Sequence, residues 1–269
     1  MQDHIENEQI NLSHSFSNTA TDQYALHCHP FFEVYYFIRG QVSYLVEGKR
    51  YEPVPHSILL LAPGTFHGVK VESSQEYERY ALHFEKETLS REREEMLLAP
   101  FFGGVSGRKD IYYQGADGFS MAEYFDAMLE CEASGPQGKL LPIRLESLLS
   151  QIVRMDLLGH TAEADVRSGT TDQIIRYLNR SLCEPVTLDS LSERFFLSKN
   201  HLNWLFKQAT GTTVRNYLIH KRIAAAHEML RQGVPAAIAA EKCGFGDYSA
   251  FFRAYKKIFG VAPSGIDRG

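Results

Sequence analysis

The period of the hydrophobic pattern changes once along this chain, and that change constrains the fold more than any other feature. From about residue 20 to 86 the apolar residues come in short runs of strand-like composition: Phe31–Ile38, Val42–Val46, Ser57–Leu61 and Tyr77–Phe84. Turn residues separate them: Arg39 and Gly40, Glu47 and Gly48, Pro53, and Pro63 and Gly64. The connections leave no room for crossover helices, so the strands are expected to pair antiparallel in a barrel or sandwich. From about residue 117 the period is helical. Met121, Phe125, Met128 and Leu129 form one stripe, and Leu141, Leu145, Leu148, Leu149, Ile152 and Val153 form a second, around a turn signal from Ser134 to Gly138. Residues 159–170 show no period and read as a linker, after which the chain is helical to its end.

These signals predict an α+β chain. An antiparallel barrel occupies residues 1–116, a helical hairpin 117–158, the linker 159–170 and an all-α domain 171–269. A length of 269 residues suits two cores. The net charge of −5 hides a division. Residues 171–269 carry 14 Lys and Arg against 8 Asp and Glu, while the rest carries 14 against 25. A basic end on an acidic body is the footprint of a protein that meets phosphate at one end. No apolar run is long enough to cross a membrane, and the start of the chain lacks a signal-peptide pattern, so the expected location is the cytoplasm. Cys28, Cys131, Cys183 and Cys243 form no closely spaced pair and read as reduced thiols.

The basic region holds two similar units. In the first, Thr187 caps a short helix with Asp189 in its first turn, Phe196 and Leu197 make a turn, and Ser198 caps a second helix, Lys199–Gln208, that buries Leu202, Leu205 and Phe206. A longer helix, about residues 213–231, leads to a second short helix. A turn at Cys243 to Phe245 follows, then a cap at Asp247 and a final helix with Phe251, Tyr255 and Ile258 inward. Two short helices so joined place the second in a major groove.

Several residues of the first unit resemble the AraC/XylS-type regulator signature: Leu188, Leu191, Leu197, Ser198, Leu202, Leu205 to Lys207, Thr210, Gly211, Tyr217, Leu218, Arg222, Ile223, Ala226 and Leu230. In the second unit Gly244, Phe245, Asp247, Ser249, Phe251, Arg253, Lys256, Lys257, Gly260, Pro263 and Ser264 continue the match, over about residues 172–268. The resemblance implies two helix-turn-helix units, joined by one long helix, in adjacent major grooves. It implies base contacts by Asn200, Asn203, Trp204, Tyr248, Ser249 and Arg253. Lys199, Lys207, Lys256 and Lys257 fall to phosphate, which gives affinity without sequence choice. Arg222, among apolar neighbours, reads as a structural salt-bridge residue. The second unit departs from the pattern, with Ala236 and Ala239 where bulky aliphatics are usual and Ile238 where a polar residue is, so looser packing is expected there.

In the barrel, His27, His29 and Glu33 are followed seven residues later by Gly40, and Pro63 and Gly64 precede His67. This spacing is similar to the two short motifs of the cupin barrel. Two imidazoles two apart share a strand face. With Glu33 and His67 they suit a divalent transition metal, or instead a metal-free pocket that hydrogen-bonds a small ligand, or plain turn and core structure. No cofactor is required. Tyr35, Tyr44 and His83 are further lining candidates, and His14 and Phe16 lie on a leading segment that would cover the mouth.

Taken together, the sequence reads as a transcription regulator, an activator in keeping with the family. Double-stranded operator DNA, a small-molecule effector such as a sugar, RNA polymerase and a second copy of the chain are its expected partners. The alternatives are a metal-dependent cupin enzyme or metal sensor carrying a DNA-binding tail, and an architectural binder. The chain shows no activated nucleophile, phosphate loop or GxSxG, so the expectation is no enzyme.

Overall fold

The computed structural model describes residues 4–21, 24, 26–103, 111–131, 138–162 and 170–264. The turn residues 134–137 and linker residues 163–169 fall outside these. Among the described residues the N-terminal domain has two antiparallel sheets. The larger contains β1 (His4–Glu6), β2 (Ile10–Ser17), β3 (Phe32–Arg39), β6 (Ser57–Leu61), β8 (Tyr77–Phe84) and β9 (Tyr112–Tyr113), in the order β1-β2-β8-β3-β6-β9. The smaller holds β4 (Val42–Val46), β5 (Lys49–Tyr51) and β7 (His67–Val71), in the order β5-β4-β7.

The four strong apolar runs are all strands, but the sheet begins before residue 20, where the sequence reading started it. β2 pairs with β8 over eight residues, from Ile10 with Phe84 to Ser17 with Tyr77. Its alternation of Ile10, Leu12 and His14 with Asn11, Ser13 and Ser15 is the period-2 signal, obscured by the polar composition of the segment.

Register decides which side chains face the site. Opposite residues of an antiparallel pair share a face, so Glu33 lies beside His83, Tyr35 beside Ala81 and Phe37 beside Arg79. That inner face packs against the small sheet, in a core of Tyr35, Phe37, Tyr44, Val46, Tyr51, Leu59 and Val71. The outer face of Phe32, Val34, Tyr36, Tyr80, Leu82 and Phe84 is covered by α2 (Met121–Leu129) and α3 (Leu141–Leu157), with the short α1 (Glu94–Leu98) alongside. Phe125 stacks between Tyr36 at 5.5 Å and Tyr80 at 4.9 Å. Residues 160–162, read from sequence as linker, are held on the sheet edge: Gln114 N donates to His160 O and Ala162 N to Tyr112 O.

The C-terminal domain contains α4 (Thr170–Arg180), α5 (Leu188–Phe195), α6 (Lys199–Thr210), the linking helix α7 (Val214–Arg231), α8 (Ala236–Lys242) and α9 (Tyr248–Phe259). The caps are those the sequence announced. The Thr187 hydroxyl accepts from Ser190 N in a capping box, Ser198 from His201 N, and Asp247 from Ser249 N and Ala250 N. Phe196 takes the left-handed turn conformation with φ 54°. Among the described residues no helix is long and apolar enough to cross a membrane.

Candidate functional site

The barrel interior gathers the residues of the two spaced motifs. Glu33, 4 % exposed, points its Oε2 at three imidazoles: His29 Nε2 at 3.0 Å, His67 Nε2 at 3.0 Å and His83 Nε2 at 3.5 Å. Burial alone would raise the Glu33 pKa, but the three imidazoles hold it well below the usual carboxylate range. Burial lowers the His67 pKa while the Glu33 charge raises it, and the carboxylate prevails. His29 Nδ1 lies 3.2 Å from Phe31 O and His67 Nδ1 2.8 Å from Thr65 O. Both Nδ1 atoms therefore carry protons, which turns the Nε2 atoms toward the carboxylate. His29 Nε2 is at hydrogen-bond distance from the carboxylate, and donates to it when that nitrogen carries a proton as well. At His67 the charges are close, yet Nε2 is off the hydrogen-bond line and counts as a buried atom without such a partner. His27 bridges to His67 across the strands and its ring lies 4.4 Å from it.

Tyr35 and Tyr44 do line this interior, their rings 4.6 Å apart, and Tyr44 lies parallel to His67 at 6.2 Å. The Tyr35 and Tyr77 hydroxyls share a hydrogen bond of 2.8 Å. A cavity of about 280 Å³ beside His29 and His83 is lined by Asn11, Phe31 and the β1–β2 connection. His14 and Phe16 do not cover the mouth. His14 points to the outer face, stacked on Tyr80 at 4.1 Å with Nε2 2.9 Å from Glu78, because its position in β2 has the parity of the hairpin side.

The cluster adjoins the C-terminal domain. Phe66, next to His67, is buried in the core of the first helical unit, 5.0 Å from the Tyr217 ring and 5.4 Å from that of His220. Cys28, between His27 and His29, places Sγ 3.1 Å from His220 Nδ1, and burial pushes its thiol up to about 11. Glu47, in the β4–β5 turn, accepts from Phe66 N at 2.8 Å and from the Tyr217 hydroxyl, and pairs with Lys221 at 2.7 Å. Backbones approach closely here. A Cβ on Gly64 would sit 2.5 Å from that of Ala224, and one on Gly211 would meet Leu26 at 2.2 Å.

The helical units present two open faces. On α6, Asn200, Trp204 and Lys207 are exposed, with Trp204 at 58 % and stacked on His201. Lys199 is exposed and paired with Asp189, while Asn203 is half-buried and accepts from Val214 N at 3.4 Å. On α9, Tyr248, Ser249, Arg253, Lys256 and Lys257 are all exposed. Arg222 joins the units, but not through a carboxylate. Its Nε donates to Leu182 O at 2.8 Å, Nη1 to Gly244 O at 2.9 Å and Nη2 to Glu184 O at 2.7 Å. This corrects the salt-bridge expectation: the guanidinium satisfies carbonyls left open by two turns.

The model of the AraC-like ligand binding domain matches residues 9–153, and that of a helix-turn-helix domain matches residues 191–269. The chain belongs to the AraC family. Among curated proteins it is similar to the HTH-type transcriptional activator RhaS of Salmonella arizonae, 30 % identical over 126 residues that cover 44 % of this chain and 45 % of that protein. It is also similar to the probable transcriptional regulator LumQ of Photobacterium leiognathi, 28 % identical over 34 % of this chain and 37 % of that one. The aligned stretch thus spans less than half of these relatives. Among solved structures, ToxT of Vibrio cholerae aligns over 96 % of this chain and 97 % of its own, at 12 % identity and a TM-score of 0.41.

In this AraC-family chain the structure brings His27, His29, Glu33, Tyr35, Tyr44, His67 and His83 into one neighbourhood. It leaves the ten expected DNA contacts on α6 and α9, with Asn203 set back toward α7. The sequence reading missed Arg79 and Tyr77 on the inner face, and Phe66, Glu47 and Lys221 in the junction. For Arg79 the signal was present, since β8 alternates and Arg79 has the parity of His83.

Proposed function

We propose that this AraC-family chain is a sequence-specific DNA-binding transcription regulator whose affinity or operator choice is set by a small molecule in the barrel. The observation that carries the reading is the junction. Residues 66 and 67 are consecutive, yet one side chain belongs to the helix-turn-helix core and the other to the barrel cluster. A ligand that moves His67 therefore moves Phe66, and a ligand shifts an equilibrium only through such differential contact. Trp204 and Asn200 on α6 and Tyr248, Ser249 and Arg253 on α9 read bases, and Lys207, Lys256 and Lys257 meet phosphate. The sugar or sugar derivative expected from the family resemblance stays within this reading. No catalytic step is assigned to the cluster.

In vitro selection of random duplexes with the full chain is the test. Enrichment of a site with two contacts about one helical turn apart is expected, along with a steep fall of affinity with salt. Failure to enrich any sequence, or a flat salt response, overturns the proposal. Leu140, Ile143, Leu157 and Leu158 project exposed from the hairpin, the last three at 61 % each. Exposed apolar pairs at the two ends of α3 support a homodimer contact there, and Ile143→Glu is expected to give monomers in sedimentation. RNA polymerase is the remaining partner of an activator.

A second reading is favoured by one specific observation, the buried His67 Nε2 without a hydrogen bond. The ligand atoms of His27, His29 and His67 lie within 4.8 Å of one another, as do those of His29, Glu33 and His83. The Nδ1 donations to backbone carbonyls orient both rings as they do in metal sites. The donor set fits a divalent transition metal, which would be held by His27, His29 and His67 and would supply charge for ligand binding. Elemental mass spectrometry of the untagged protein checks this, with near one equivalent expected in wild type and none in His27→Ala/His67→Ala.

A further inference from the structure

Arg79 stands on the inner face of β8, beside Phe37 of β3 on one side and Ser15 of β2 on the other. Its guanidinium carbon lies 4.4 Å over the Tyr77 ring. Nη1 is buried and makes no hydrogen bond, and among the described residues no carboxylate pairs with Arg79. Glu33, a carboxylate of the same inner face, is already shared by three imidazoles. The hydroxyl of that same Tyr77 shares a hydrogen bond of 2.8 Å with the Tyr35 hydroxyl. A cation that stacks on one ring, with a buried N–H and no counter-ion, is costly to keep in a barrel. A planar fork of donors is matched by the oxygens of a carboxylate or phosphate.

We propose that the effector is a small organic anion, whose charged oxygens bind Arg79 while its hydroxyls meet Tyr35 and Tyr77. The proposal rests on the effector-binding reading above and names the ligand class. The barrel is then dipolar inside: the His/Glu cluster stands at one end, four residues along β8 from Arg79, and tyrosine hydroxyls lie between. A neutral sugar hydroxyl accepts from the Arg79 N–H but brings no counter-charge, whereas a sugar acid or sugar phosphate supplies both.

The test uses the full chain and three matched probes: galactose, galacturonate and galactose 1-phosphate. Thermal shift and calorimetric titration are run on wild type, Arg79→Gln and Arg79→Lys. The expected result is stabilisation by one or both anions and not by galactose. The response is lost in Arg79→Gln, by at least about tenfold in Kd, and partly kept in Arg79→Lys. Galacturonate and galactose 1-phosphate separate a carboxylate from a phosphate effector. Stabilisation by galactose equal to that by the anions, or an anion response that survives Arg79→Gln, overturns the proposal while leaving the effector reading intact. A ligand-free arm covers the case in which no probe binds. Arg79→Met is expected to raise the melting temperature, because a cation kept for binding lowers stability. A lower melting temperature with no probe response makes Arg79 structural and overturns the proposal.

Discussion

The two helix-turn-helix units share one plan and differ in what holds them. Each has a short first helix, a turn and a capped second helix that carries its exposed polar face. The first unit takes Phe66 of the barrel into its core, and Glu47 closes over it through Tyr217 and Lys221. Among the described residues the second unit meets the N-terminal domain through ion pairs at the end of α7, Lys86 with Glu228 at 2.5 Å and Arg231 with Glu87, beside a cavity that Phe259 lines together with Phe32 and Pro63. Its core has Ala239, with Ala236 packed against it, where bulky aliphatics were expected, and Phe251 and Tyr255 are buried there. The contrast teaches that the sensor holds one unit as a joint core and the other through surface charges. A change in the barrel is therefore expected to disturb the packing of the first unit more than that of the second.

The largest expected effect breaks the first attachment. Phe66→Ala removes a buried aromatic from a mixed core and is expected to cost about 3–5 kcal/mol. Differential scanning calorimetry is expected to resolve the barrel and the helical domain as separate transitions. A single undivided transition of unchanged midpoint means that the joint core does not couple them. Next, Arg222→Met removes three hydrogen bonds from a charged group to carbonyls of both units, at about 3 kcal/mol in total. Urea unfolding of the helical domain measures it, and a loss under about 0.5 kcal/mol, the range of ordinary surface changes, contradicts the joining role.

The DNA faces sharpen the comparison at a smaller scale. Trp204→Ala and Arg253→Ala are each expected to cost about 1–3 kcal/mol on the selected operator and little on random DNA. If effector acts through the first unit, adding it changes the Trp204→Ala penalty and leaves the Arg253→Ala penalty constant, as read by fluorescence anisotropy. The smallest effect belongs to the second unit. His227 stacks on Phe259 at 4.1 Å and touches the Tyr255 hydroxyl at 2.6 Å. Burial, and then the charge of Arg231, lower its pKa to about 4. The unfolded chain takes up this proton near pH 6.5, before the folded one does. Its contribution is therefore whole above about 6.5 and lost as pH falls from there toward 4. The drop in melting temperature between pH 7 and pH 5 should be smaller in His227→Gln than in wild type. An equal drop assigns the acid sensitivity elsewhere.

What could be read from the sequence followed from local rules. Thr187, Ser198 and Asp247 announced their helices because a cap is a contact between residues two or three apart. The His27, His29, Glu33 and His67 spacing announced a shared neighbourhood because strand parity fixes a face. What could not be read depends on distant partners. Arg222 looked like a salt-bridge residue until Leu182, Glu184 and Gly244 turned out to offer carbonyls. The contact of Asn203 with Val214 N at the start of α7 joins residues 11 apart, and no local rule announces it. β2 was passed over because polar composition outweighed its alternation. The Glu47–Tyr217 contact joins residues 170 apart, and no periodicity carries that information.

Strand parity also runs through the junction, where residues 27 and 29 face the barrel cluster and Cys28 faces His220, while Phe66 and His67 divide in the same way. Input and output are thus one peptide bond apart. The two surfaces cannot drift independently, since a backbone shift that retunes the pocket also retunes the grip on α7. A graft of this barrel onto another regulator's helical domain is therefore expected to bind its effector and transmit nothing, unless the surface of α7 around Tyr217 and His220 travels with it.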